Sequence, residues 1–111
     1  MAAIANLTID QGATFSSDVT VKDAQDKAYN LTGYTANAKL SKGFASTRTR
    51  TNMTTTIATD ATTGVVTLSL SATETAALDA ERYVYDLEIT SGAAVTRVIE
   101  GIITVRPQVT L

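Results

Sequence analysis

The stretch AERYVYDLEITSGAAVTRVIEGIITVRPQVT, from Ala80 to Thr110, constrains this chain more than any other part of it. Tyr83, Tyr85, Leu87 and Ile89 fall on one face of an extended chain, and Arg82, Asp86, Glu88 and Thr90 fall on the other. That is the period-two pattern of a half-buried strand. A Ser91-Gly92 turn signal and a second β-branched run follow, so the segment predicts a long hairpin.

Two registers are open to that hairpin. A loop of Ser91, Gly92 and Ala93 pairs Tyr85 with Ile99 and Tyr83 with Gly101. It leaves Val98 and Ile102 facing out and turns Arg97 inward near a sheet end. A shorter Gly92-Ala93 loop, a favoured type II′ sequence, turns Val98, Glu100 and Ile102 inward instead. A carboxylate held mid-strand in a core costs more than an arginine whose head can snorkel out, which favours the first register. The first register also sets a tyrosine ring across from a glycine, covering its backbone. Pro107 has no N–H, so pairing should fade there and leave 108–111 as a tail.

Upstream, Ala3 to Ile9 reads as a short first strand after a tail of residues 1–3, and Asp10-Gln11-Gly12 as a turn. Phe15, Val19 and Val21 give a second strand, and Lys22 to Asn30 a loop or wide hairpin. Tyr34, Ala36, Ala38 and Leu40 alternate in a third strand. The segment 41–57 is polar on both faces, with Arg48, Arg50 and Asn52 on one and threonines on the other. It predicts a protruding hairpin or an edge strand, whose arginines discourage wrong pairing. Asp60 to Gly64 is a turn, and Val66, Leu68 and Leu70 a buried strand. Ser71-Ala-Thr-Glu74 matches a capping box, predicting one short helical turn near 71–78. The tyrosines after it echo a tyrosine corner. The expected fold is a single all-β domain over 1–111, an Ig-like antiparallel β-sandwich of six to eight strands.

The composition excludes much chemistry. There are no cysteines and no histidines, which removes disulfides, thiol nucleophiles, the usual general base and the commonest transition-metal ligand. Net charge is -2, too small for electrostatic capture of nucleic acid. No apolar run approaches the roughly 20 residues of a membrane-spanning helix, and MAAIANLTIDQG lacks the basic start of a secretory leader. Glycosylation-type triplets at Asn6, Asn30 and Asn52 are chance in a chain this rich in Asn and Thr. About one residue in five is threonine, which suits half-exposed strands.

The candidate sites are sparse. Asp18, Asp23 and Asp26 could offer oxygens to calcium, but lack the spacing of a calcium loop. Asp86 and Glu88 share a strand face as catalytic carboxylates might, yet alternating charges on an exposed face are ordinary. Lys39, Lys42, Arg48 and Arg50 concentrate positive charge with only Phe44 as a stacking residue, unlike a nucleic-acid stripe. Val84, Val98 and Ile102 form an outer apolar patch in the favoured register, as a docking face would. No cofactor, no metal ligand set and no catalytic residue is expected. The candidate contact residues are Arg48, Arg50, Asn52, Val84, Val98 and Ile102.

YVYDLE at 83–88, VTRVIEG at 95–101 with its following TV and Pro107, LTGYTA at 31–36 and LTIDQGATF at 7–15 resemble small Ig-like virion structural proteins of tailed bacteriophages. The resemblance covers nearly the whole chain. It implies a non-enzymatic tail, baseplate or adapter subunit, assembled in the bacterial cytoplasm and held in the virion in multiple copies. Its partners would be other virion proteins, with no nucleic acid, membrane or small-molecule substrate. A capsid decoration protein on the head is the alternative. A carbohydrate- or receptor-binding module is disfavoured by an aromatic content of 5%. A small hydrolase is disfavoured by the missing nucleophile–base pair.

Overall fold

Alternation along the strands decides which side chains form the core. The computed structural model describes residues 2–45 and 47–110. Of the three others, Met1 and Leu111 fall in the expected tails and Ser46 in the expected excursion. The strands are β1 (Ala3–Ile4), β2 (Leu7–Asp10), β3 (Phe15–Thr20), β4 (Thr35–Ser41), β5 (Thr51–Ile57), β6 (Val65–Leu70), β7 (Arg82–Ser91) and β8 (Ala94–Arg106). One short helix, α1 (Ala72–Ala76), links β6 to β7. Tyr83, Tyr85, Leu87 and Ile89 are all buried, as their spacing predicts. They meet Ala38 and Leu40 of β4, Phe15 and Val19 of β3, and Val66, Leu68 and Leu70 of β6 in one core.

The chain is all-β, and its strands follow the path β1-β8-β7-β4-β5-β6-β3, with β2 also along β8. Having β3, β6 and β5 on one side and β4, β7 and β8 on the other is the strand order of Ig-like sandwiches. Two details depart from the expected antiparallel pair of sheets. β1 and β2 run parallel to β8. The ladder is also continuous through β5, so one sheet curls around the core.

That role of β5 corrects the expectation of an edge strand or protruding hairpin at 41–57. Thr51 to Met53 pair with β4, and Thr54 to Ile57 pair with β6. β5 therefore lies inside the strand path, yet each of its residues is paired on one side only. Polar side chains suit it for the same reason they suit an edge. Where β5 leaves β4, the Thr55 hydroxyl donates to the Ala36 carbonyl at 2.9 Å and replaces the ladder bond that would have come next. Among the described residues of this segment, 42–45 and 47–50 form the loop between β4 and β5.

The last hairpin adopts neither expected register over its whole length. Its tip is the two-residue loop, with Ser91 opposite Ala94 and Glu88 opposite Arg97. A bulge between Leu87 and Glu88 then shifts the pairing, so Leu87 meets Ile99, Tyr85 meets Gly101 and Tyr83 meets Ile103. Val98 is the extra residue. Without it, a two-residue loop would carry Glu100 and Ile102 inward; with it, Ile99 and Ile103 are buried and Ile102 faces out. A tyrosine does lie across from Gly101, but it is Tyr85 and not Tyr83. Arg97 is exposed and ion-paired, so the expectation that it turns inward is wrong.

The β6–β7 connection is as the sequence predicts. The Ser71 hydroxyl accepts from the Glu74 N–H at 3.2 Å, and the Glu74 carboxylate accepts from the Ser71 N–H at 2.8 Å. The buried Thr75 hydroxyl accepts from the Gly12 N–H at 3.0 Å and donates to the Ala13 carbonyl at 2.8 Å, tying α1 to the β2–β3 turn. The Tyr83 hydroxyl accepts from the Asp79 N–H at 2.9 Å, which is the bond of a tyrosine corner.

The expected tails are also shorter. Ala3 pairs with Ile99 in β1. The Gln108 N–H donates to the Gln11 side chain at 3.1 Å, which leaves Val109 as the first fully exposed apolar residue beyond Pro107. The first strand is broken at Ala5 and Asn6. There the Ala5 carbonyl accepts from the Tyr85 hydroxyl, and the Asn6 side chain accepts from the Ile102 N–H at 3.0 Å.

A methyl group on Gly101 would lie 2.3 Å from the Ala5 oxygen. In an ordinary strand, replacing Gly by Ala gains roughly 0.5–1 kcal/mol of stability. Here Gly101→Ala is expected to lose about 1–3 kcal/mol in urea unfolding, because backbone has to move. A neutral or stabilising result contradicts this packing.

Burial pushes the Tyr85 phenol up to about 12. The unfolded phenol titrates near 10, so the protonated native form is favoured at neutral pH. That contribution is complete below pH 10 and is lost as pH rises through about 12. Melting temperatures across this window should fall more steeply for the parent chain than for Tyr85→Phe.

Candidate interaction surface

The outer face of β4, β7 and β8 is built in rows by the cross-strand register. One row reads Asn52, Lys39, Asp86 and Glu100 from β5 to β8. The next reads Ser41, Val84 and Ile102, and a third reads Asn37, Glu88 and Arg97. Asp86 and Glu100 are like charges directly opposite each other, which is unfavourable by itself. Arg97 relieves it: its guanidinium lies 3.2 Å from Asp86 and 3.8 Å from Glu100. The two-residue loop sets the arginine on that side of the sheet, and the bulge at Val98 turns Glu100 out beside it.

The 42–50 loop overhangs the same face and is pinned at both ends. Lys42 pairs with Asp79 and, at 2.9 Å, with Glu81. Hydrogen bonding to these carboxylates raises its pKa. The Arg50 guanidinium folds back on its own loop, donating to the carbonyls of Ala45 at 2.6 Å, Arg48 at 2.8 Å and Phe44 at 3.2 Å. Phe44 is left 84% exposed, and Ile4 of β1 on the opposite flank 75% exposed. Between them lies a trough of about 580 Å³ floored by Val84 and Ile102 and bordered by the charged rows.

The structure brings some of the expected contact residues together and separates others. Val84 and Ile102 sit opposite each other on the trough floor, and Asn52 borders Lys39 on the same face. Val98 does not belong to this patch, because the bulge packs it against the core. Arg48 is exposed on the loop. Arg50 lines the trough, but its donors serve its own backbone. Sequence reasoning missed Ile4 and Phe44, since an isolated apolar residue in a loop or a two-residue strand has no periodicity to mark it.

The other candidates are accounted for locally. Asp18 accepts from the Thr67 hydroxyl at 2.6 Å. Asp23 closes a turn by accepting from the Gln25 and Lys27 N–H groups, and Asp26 pairs with Lys22 at 3.7 Å. Among the described residues no three metal-ligating side chains converge. Asp86 is held by Arg97, with Glu88 in the adjoining row. No helix among the described residues is long and apolar enough to cross a membrane. No protein-family model matches the chain, and comparison with curated proteins finds no match.

Arg50→Ala removes three hydrogen bonds from an exposed loop and none from the core. Amide exchange at Ala45, Thr47 and Arg48 should accelerate several-fold, while global stability stays within about 0.5 kcal/mol. Unchanged exchange contradicts the pinned loop.

Proposed function

We propose that this chain is a non-enzymatic structural subunit of a tailed-phage virion, of the tail, baseplate or adapter type, working through protein–protein contacts. One structural observation carries the contact reading. Among the described residues, three of the five large exposed apolar side chains, Ile4, Phe44 and Ile102, line one trough, and only Val95 and Val109 lie away from it. Gathered exposure of this kind marks interaction sites, whereas scattered exposure does not. The charged groups beside the trough are spent partly on one another, which suits an orienting border more than an acid–base pair. The virion assignment rests on YVYDLE, VTRVIEG and LTGYTA and their resemblance to phage Ig-like subunits. The partners in this reading are other virion proteins, and many copies make weak contacts sufficient.

Mass spectrometry of density-purified particles tests it. The chain should be recovered with tail components in multiple copies per particle, and Phe44→Ser should reduce its incorporation. A chain abundant in the lysate but missing from intact particles contradicts the proposal.

A further inference from the structure

We propose that the β4–β7 face pairs with the same face of a second copy of this chain about a two-fold axis. The inference rests on the chemistry of the face and not on the virion reading. Two adjacent columns of side chains carry it. β4 presents Asn37 and Lys39, and β7 beside it presents Glu88 and Asp86 in the matching rows. Among the described residues Lys39 takes part in no ion pair, although it is exposed.

A two-fold axis parallel to the strands, lying in the face between β4 and β7, lays each β4 on the β7 of the other copy. Lys39 of each copy then faces Asp86 of the other, and Asn37 faces Glu88. The same operation carries the overhanging Phe44 over Val84 and Ile102 of the second copy. A polar column thus meets its complement twice, and an apolar knob meets an apolar floor twice. That is the self-complementarity an isologous contact requires. Face-to-face sheets pack about 10 Å apart, a spacing that opposed side chains fill.

The test is sedimentation velocity on the full chain and two charge-reversed variants, alone and mixed. The parent should show a concentration-dependent dimer. Lys39→Glu alone and Asp86→Lys alone should each weaken it at least about tenfold, since each sets like charges together twice. An equimolar mixture of the two variants should dimerise again, because every crossed pair is then attractive. Circular dichroism and melting curves check that each variant is folded, and Phe44→Ser, at an exposed site, should weaken the dimer without lowering the melting temperature. A parent that stays monomeric throughout, a dimer indifferent to both reversals, or a mixture that does not re-associate overturns the proposal. Absence from phage particles would leave it standing.

Discussion

Every side chain of β8 faces either the core or the solvent, and one extra residue, Val98, decides which. The two-residue Gly92-Ala93 loop sets one alternation at the tip, and the bulge converts it into the opposite alternation for the rest of the strand. A one-residue slip in a strand moves its whole apolar set to the other face. Below the bulge Ile99, Ile103 and Val105 are buried, while Glu100 stays on the outer face and Ile102 is exposed. The same shift puts Gly101 inward, opposite Tyr85. Only there can the first strand press its Ala5 carbonyl against β8 and meet the Tyr85 hydroxyl.

The outer face follows from that choice. The bulge turns Glu100 outward opposite Asp86, on the side where the two-residue loop has already set Arg97, so two opposed carboxylates are tolerated at one level of the sheet. It sets Ile102 across from Val84 on the trough floor. The two flanks come from elsewhere, with Ile4 on the parallel strand beside β8 and Phe44 on the loop pinned by Lys42 and Arg50. Val98 itself contributes nothing to the face it creates, because it packs against the core. A contact surface has therefore been built around a packing decision.

The parts legible in the sequence were those with long periodicity or a local hydrogen-bond code. β7, β6 and β4 could be read from alternation alone, the α1 cap from Ser71 and Glu74, and the end of β8 from Pro107. The bulge was not legible, since neither uniform register leaves room for a mixed one. Its signal was the conflict itself: the favoured turn put Glu100 inside, and the favoured face demanded a disfavoured turn. β5 was misjudged as an edge because threonines on both faces report one-sided pairing and not position in the strand order. Ile4 and Phe44 were invisible for lack of neighbours in pattern, so only half of the trough could be foreseen.

Deletion scanning along β8 tests the central claim most directly. Removing Val98 should leave a regular hairpin in which Arg97 still faces out and Ile99 still faces in. Such a chain should unfold in one cooperative transition within about 2 kcal/mol of the parent, the difference reflecting a single lost packing contact. Removing Ile102 should abolish that transition. Either Glu100 is then driven inward against the Ala5 carbonyl, or Ile103 and Thr104 exchange faces. If the two deletions behave alike, or if removing Val98 is the more damaging, the bulge is not what sets the faces of β8.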